Sequence, residues 1–122
     1  MGIPSSIGHR APNASKRARR TWKKLEPLLH SLGIEGLIVS THPDESMSME
    51  ARSRINRSVV QVAVMADGEA RFRLVRGLIP DRMRRLNLSD PASVKSLENV
   101  IGHVVHGWEV IENRTHELLR TK

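Results

Sequence analysis

The chain has 122 residues with 20 Lys and Arg against 13 Asp and Glu, a formal net charge of +7, 39% apolar residues and no cysteine. That length predicts one domain rather than two. The missing cysteine excludes disulfides, thiolate zinc sites and cysteine nucleophiles. Phe72, Trp22 and Trp108 are the whole aromatic complement, so base stacking on rows of aromatic platforms is excluded as a main binding device.

The placement of charge says more than its total. Residues 1–30 hold Arg10, Lys16, Arg17, Arg19, Arg20, Lys23 and Lys24 against Glu26 alone, whereas residues 91–122 hold four basic and four acidic side chains. A basic segment of this kind usually meets phosphate, because each contact releases condensed counterions. No apolar run in residues 1–20 has the length of a secretion signal, and none in the chain approaches the roughly 20 residues that span a bilayer. The expectation is a cytoplasmic protein with no membrane partner.

Residues 1–13, with two prolines and two glycines, read as a flexible basic arm, and residues 14–122 as a single domain. Ala18, Trp22, Leu25, Leu29 and Leu32 recur at steps of three and four, which predicts an amphipathic helix over about 14–32. Asn13 or Ser15 would cap it and Gly33 would stop it. Pro27 falls inside and predicts a kink near Lys23 to Pro27, or two short helices in place of one.

Ile34 to Ser40 (IEGLIVS) reads as a buried strand. Thr41 to Ser48 reads as a polar loop or a helix start with Asp44 or Ser46 as its cap, and Met49 to Asn56 as a short helix. Ser58 to Arg76 predicts a β-hairpin with a three-residue loop, Ala66-Asp67-Gly68, and Met65 facing Glu69. One face then carries Val60, Val62, Val64, Ala70, Phe72 and Leu74. The other carries Gln61, Ala63, Met65, Glu69, Arg71 and Arg73. A helical reading competes, since Ala51, Ile55, Val59, Val62 and Ala66 also keep steps of four and three.

Pro80 predicts a short helix over PDRMRRL with Ile79, Met83 and Leu86 inward and Arg82, Arg84 and Arg85 outward. Ser89, Asp90 and Pro91 open a long amphipathic helix over about 91–120. Its seam runs through Val94, Leu97, Ile101, Val104, Trp108, Ile111, Thr115 and Leu118, broadened by Val100, Val105 and Leu119. Gly102 and Gly107 are out of place inside such a helix. Either they admit a close neighbour or the helix bends beside Trp108. The predicted fold class is therefore α+β, with an all-α bundle as the alternative.

The candidate phosphate-binding residues are Arg10, Lys16, Arg17, Arg19, Arg20, Lys23 and Lys24, extended by Arg71, Arg73 and Arg76 on the hairpin and by Arg82, Arg84 and Arg85. Leu97, Ile101, Val104, Trp108, Ile111 and Leu118 are the candidate interface for self-association, against packing inside one chain. His103 and His106 have the spacing of a metal pair, but no third ligand joins them on one helix face, so neither metal nor cofactor is expected. The stretch Ser40, Thr41, His42, Pro43, Asp44 and Glu45 holds residue types of a hydrolytic site without a nucleophile elbow or a metal-ligand motif. An enzyme is the least supported class.

ASKRARRTWKKLEPLLHSLG (residues 14–33) resembles the opening of phage terminase small subunits, a basic helix with a tryptophan and a proline before a leucine-rich turn. LSDPASVKSLENVIGHVVHGWE (residues 88–109) is similar to their later oligomerisation helices. The resemblance implies a helical bundle and a DNA-packaging role, and it departs from the hairpin read over 58–76. The sequence thus points to a protein that is not an enzyme and binds DNA or RNA through its N-terminal arm and helix. It could self-associate through the C-terminal helix. The competing expectations are an adaptor or inhibitor docking an acidic protein partner, and a structural subunit of a larger assembly.

Overall fold

The computed structural model describes residues 14–35 and 37–108. In chain order they form α1 (Lys16–Ser31), β1 (Ser40–Thr41), β2 (Met47–Arg52), β3 (Ser58–Val64), β4 (Ala70–Arg76), β5 (Ile79–Pro80), β6 (Arg84–Leu86) and α2 (Pro91–His106). The strands make one antiparallel sheet in the order β1-β2-β3-β4-β5, with β6 also on β4. The fold is mixed α+β, and the all-α alternative, with the helical bundle that the terminase resemblance implies, does not describe it.

The hairpin follows its alternating pattern. Met65 donates its N–H to the Glu69 carbonyl at 2.8 Å, Gly68 takes a left-handed φ of +89°, and Val62 lies opposite Phe72. Val60, Val62, Val64, Ala70, Phe72 and Leu74 are all buried. Both helices cover that face: Ala18, Trp22, Leu25 and Leu29 of α1 and Leu97, Val100, Ile101 and Val104 of α2 join the same apolar cluster. The opposite face, through Gln61, Ala63, Arg71 and Arg73, is half-buried and has no layer over it among the described residues.

α1 is capped by Ser15 and runs through Pro27 as one helix, not two. α2 begins at Asp90 and Pro91 as expected, but ends at His106, where Gly107 adopts a left-handed φ of +73°. Residues 109–120 of the expected long helix lie outside the described residues. The chain then folds back, with the Trp108 N–H donating to the Gly102 carbonyl and the indole lying so close that a Cβ on Gly102 would collide with it. The two glycines have separate reasons: Gly107 permits the reversal and Gly102 makes room for the ring that follows.

Three segments differ from expectation. Met49 to Asn56 is not a helix, because Met47, Met49 and Ala51 alternate with Ser48, Glu50 and Arg52 as β2 pairs along β3. This period-two pattern was hidden under the helical spacing of Ala51 and Ile55. Ile34 to Ser40 is not a buried strand: among its described residues Ser40 alone pairs, forming β1 with Thr41 beside β2, and Ile38 is 81% exposed. Pro80 does not open a helix. It sits on an edge strand, where its missing donor costs no ladder bond, and Arg84 to Leu86 returns to pair with Ala70 to Phe72. Ile79, expected to face inward, is 74% exposed.

Candidate nucleic-acid interface

α1 presents two unlike sides. At about 100° per residue, Ala18, Trp22, Leu25 and Leu29 fall together and face the sheet, while Lys16, Arg17, Arg19, Arg20, Lys23 and Lys24 occupy an arc of roughly 160° opposite them. All six are exposed. Lys16, Arg19, Arg20 and Lys23 border a shallow groove of about 270 Å³.

This arrangement works against the helix that carries it. Lys16 with Arg19 and Arg20, Arg19 with Lys23, and Arg20 with Lys23 and Lys24 are like charges at helical spacings of three or four, each pair costing about 0.2–0.5 kcal/mol. The first turn holds no acid, so cations stand where the helix dipole is positive. Among the described residues, no ion pair or side-chain hydrogen bond engages any of the six.

Rigid contacts hold this face in place. The Ser15 hydroxyl accepts from the Ala18 N–H at 3.0 Å and donates to the Ala66 carbonyl at 2.6 Å. One turn on, the Thr21 hydroxyl donates to the Gly68 carbonyl at 2.8 Å. The start of α1 is thereby fixed to the hairpin loop, and Gly68 lies against the Arg17 Cβ.

The remaining candidates are elsewhere. Arg71, Arg73 and Arg85 lie on the uncovered sheet face, away from α1, and are engaged by acids or amides. Arg71 and Arg85 meet Glu69 at 3.2 and 2.8 Å, and hydrogen bonding to Arg71, with the charge of both guanidiniums, holds the Glu69 carboxyl below the usual carboxylate range. Arg73 donates to Gln61 at 2.6 Å, which donates to Glu50 at 2.6 Å. Arg82 is exposed in the link between β5 and β6, Arg84 is half-buried on β6, and Arg10 is outside the described residues. The structure brings together the α1 set and separates it from the hairpin arginines that were expected to extend it.

The interface candidates also divide. Leu97, Ile101 and Val104 are at most 1% exposed, packed against their own sheet, and are not available to a second subunit. They fall where a stripe on a helix beside an apolar sheet face has to fall. Trp108 is 57% exposed, stacked on His106 at 5.0 Å between ring centroids. Ile111 and Leu118 lie outside the described residues.

His103 turns its Nδ1 to the Trp108 carbonyl at 2.6 Å. Among the described residues, no group of three or more His, Asp or Glu side chains is placed to hold a metal ion. In the His42 to Ser46 turn, His42 bonds Ser48 at 2.7 Å. Asp44 accepts from the Ser46 hydroxyl and N–H, which holds its carboxyl below the usual range. Sequence reasoning missed Arg54 and Arg57, on the loop whose Arg57 carbonyl bonds Gly77 of the exposed turn that Arg76 enters; the signal was Gly77 directly after a strand, with Pro80 closing the next one. No protein-family model, curated protein or solved structure matches this chain at a significant level.

Proposed function

We propose that this chain is a nucleic-acid-binding protein, not an enzyme, that grips the phosphate backbone with the outer face of α1 and acts in the cytoplasm. The observation that carries this reading is the set of six cations crowded on one exposed helix face with no ion pair among the described residues. Folding alone gains nothing from such crowding, whereas a polyanion relieves it by supplying the missing charge.

The binding is backbone contact rather than base reading. Aromatic stacking surfaces are scarce, and the α1 face offers point charges and guanidinium forks that suit phosphate oxygens. A duplex suits a convex helical face, and a single strand drawn along the groove between Lys16, Arg19, Arg20 and Lys23 is the other form the ligand can take. Titration of the full chain with mixed-sequence duplex and with a single strand, between about 50 and 200 mM salt, tests the proposal. Affinity should fall steeply with salt; an affinity that ignores salt would overturn it.

A further inference from the structure

The end of the sheet remote from the hairpin loop carries some of the most exposed apolar side chains of the described residues. Arg76 pairs with Ile79, so β4 reverses into β5 through Gly77 and Leu78 alone, with Gly77 at a left-handed φ of +65°. Leu78 is 97% exposed and Ile79 74%, and Ile55 in the neighbouring loop is 63% exposed. Backbone bonds hold the turn firmly. Gly77 donates its N–H to the Arg57 carbonyl at 3.2 Å, which joins the two loops, and Asp81 donates to the Leu74 carbonyl at 2.8 Å.

A firm turn that holds two aliphatic side chains out in water adds nothing to the core, and exposed apolar groups so presented mark contact surfaces. Their surroundings are basic. Arg54 and Arg57 come from the loop carrying Ile55, Arg76 and Arg82 flank the turn, and Asp81 stands 4.0 Å from Arg76. Between the loops lies a shallow pocket of about 240 Å³ lined by Asn56, Arg57, Ser58, Arg76, Gly77 and His103.

We propose that this end of the molecule docks on an anionic phospholipid bilayer. Leu78, Ile79 and Ile55 enter the boundary between headgroups and acyl chains. Arg54, Arg57, Arg76 and Arg82 meet lipid phosphates at the headgroup level. The contact is one-sided and needs no spanning segment.

The composition of the patch favours a bilayer over a second nucleic-acid site. A backbone-binding site such as the α1 face needs only cations and gains nothing from projecting aliphatic side chains, and a base-reading one takes free amides or aromatic faces. The amide here, Asn56, is already spent: its Nδ2 donates to the His103 carbonyl at 3.3 Å and its Oδ1 accepts from the Ser58 N–H at 2.9 Å. What projects is aliphatic or guanidinium, and a bilayer surface asks only for apolar volume and positive charge. The patch is also separate from the α1 face, which begins beside the hairpin loop at the other end of β3 and β4.

The test is co-sedimentation of the full chain with vesicles of phosphatidylcholine alone and of phosphatidylcholine containing phosphatidylserine. The wild type is compared with a Leu78→Ser, Ile79→Ser double variant whose fold is checked by circular dichroism. The chain should bind the anionic vesicles and not the neutral ones. The double variant should bind them at least about tenfold more weakly, by the transfer energy of buried aliphatic side chains, with duplex affinity unchanged. In a Leu78→Trp variant, emission should shift to the blue when anionic vesicles are added. Absence of binding to anionic vesicles would overturn the proposal, as would equal binding by the double variant, which is plain electrostatic adsorption. Loss of duplex binding in the double variant would make the turn a nucleic-acid wedge instead, and would equally overturn it.

Discussion

The hydroxyl of Ser15 donates to the carbonyl of Ala66 at 2.6 Å while it accepts from the Ala18 N–H. One side chain thus caps α1 and moors it to the hairpin loop. Removing the hydroxyl costs the cap, about 1 kcal/mol, and leaves a half-buried carbonyl without its partner, about 1 kcal/mol more. Ser15→Ala should therefore lower the melting temperature by several degrees, read by thermal denaturation. An unchanged melting point would mean that water replaces both bonds.

The packing of α2 makes a prediction about assembly. Leu97 and Ile101 are fully buried against their own sheet, so Leu97→Ala or Ile101→Ala should each destabilise the fold by about 2–5 kcal/mol. The loss should not depend on protein concentration in denaturant titration, as it would if these side chains joined two subunits.

Gly102 and Trp108 give a local test. An alanine at 102 would improve helix propensity by about 1 kcal/mol but places its Cβ on the indole. Gly102→Ala should displace the Trp108 ring while Trp22, buried in the core, stays. Of the two indole N–H signals in a proton–nitrogen spectrum, one should move.

Glu69 sets the pH behaviour of the open sheet face. Its carboxyl is held below the usual range first by hydrogen bonding from Arg71 and then by the charges of Arg71 and Arg85. A depressed carboxylate adds its small stabilisation above its unfolded value and loses it as pH falls through the folded one. Carbon-detected titration should find Glu69 ionising below ordinary glutamates, and Arg71→Gln should bring it back up. A normal midpoint in the wild type would mean that the ion pair is not held in solution.

Much of this fold was legible in the sequence where pattern and punctuation agreed. The hairpin has strict alternation on both sides of Ala66-Asp67-Gly68, and its register followed from keeping the arginines off the valine face. α1 and the start of α2 carried apolar stripes with good caps. What failed lay where two periods overlapped or where an edge decided. Met47 to Arg52 shares its residues with a helical spacing, and pairing with β3 settled it as a strand. Ile34 to Ser40 has strand composition, but β1 pairs through only two residues, and composition does not report how much of an edge is used. The end of α2 was misplaced because Gly107 was weighed as a helix interior rather than as a left-handed stop. The α1 part of the candidate site was legible as a cationic helix face; the distance of Arg71, Arg73 and Arg85 from it was not, since only the packing of α1 on the valine face puts them on opposite sides.

The central claim is that α1 keeps its uncompensated charge for a polyanion. It is tested most directly by replacing Lys16, Arg19, Arg20 and Lys23 with Ala and measuring duplex affinity against salt beside thermal stability. Alanine relieves like-charge repulsion and suits a helix, so the variant should melt no lower than the wild type. Its affinity for duplex should collapse, and the slope of log affinity against log salt should become shallower by about three to four, near 0.9 for each phosphate no longer neutralised. An Arg71→Ala, Arg73→Ala variant should keep both affinity and slope. If the α1 variant binds as tightly as the wild type with the same salt slope, or if the sheet-face variant is the one that loses binding, the account is wrong.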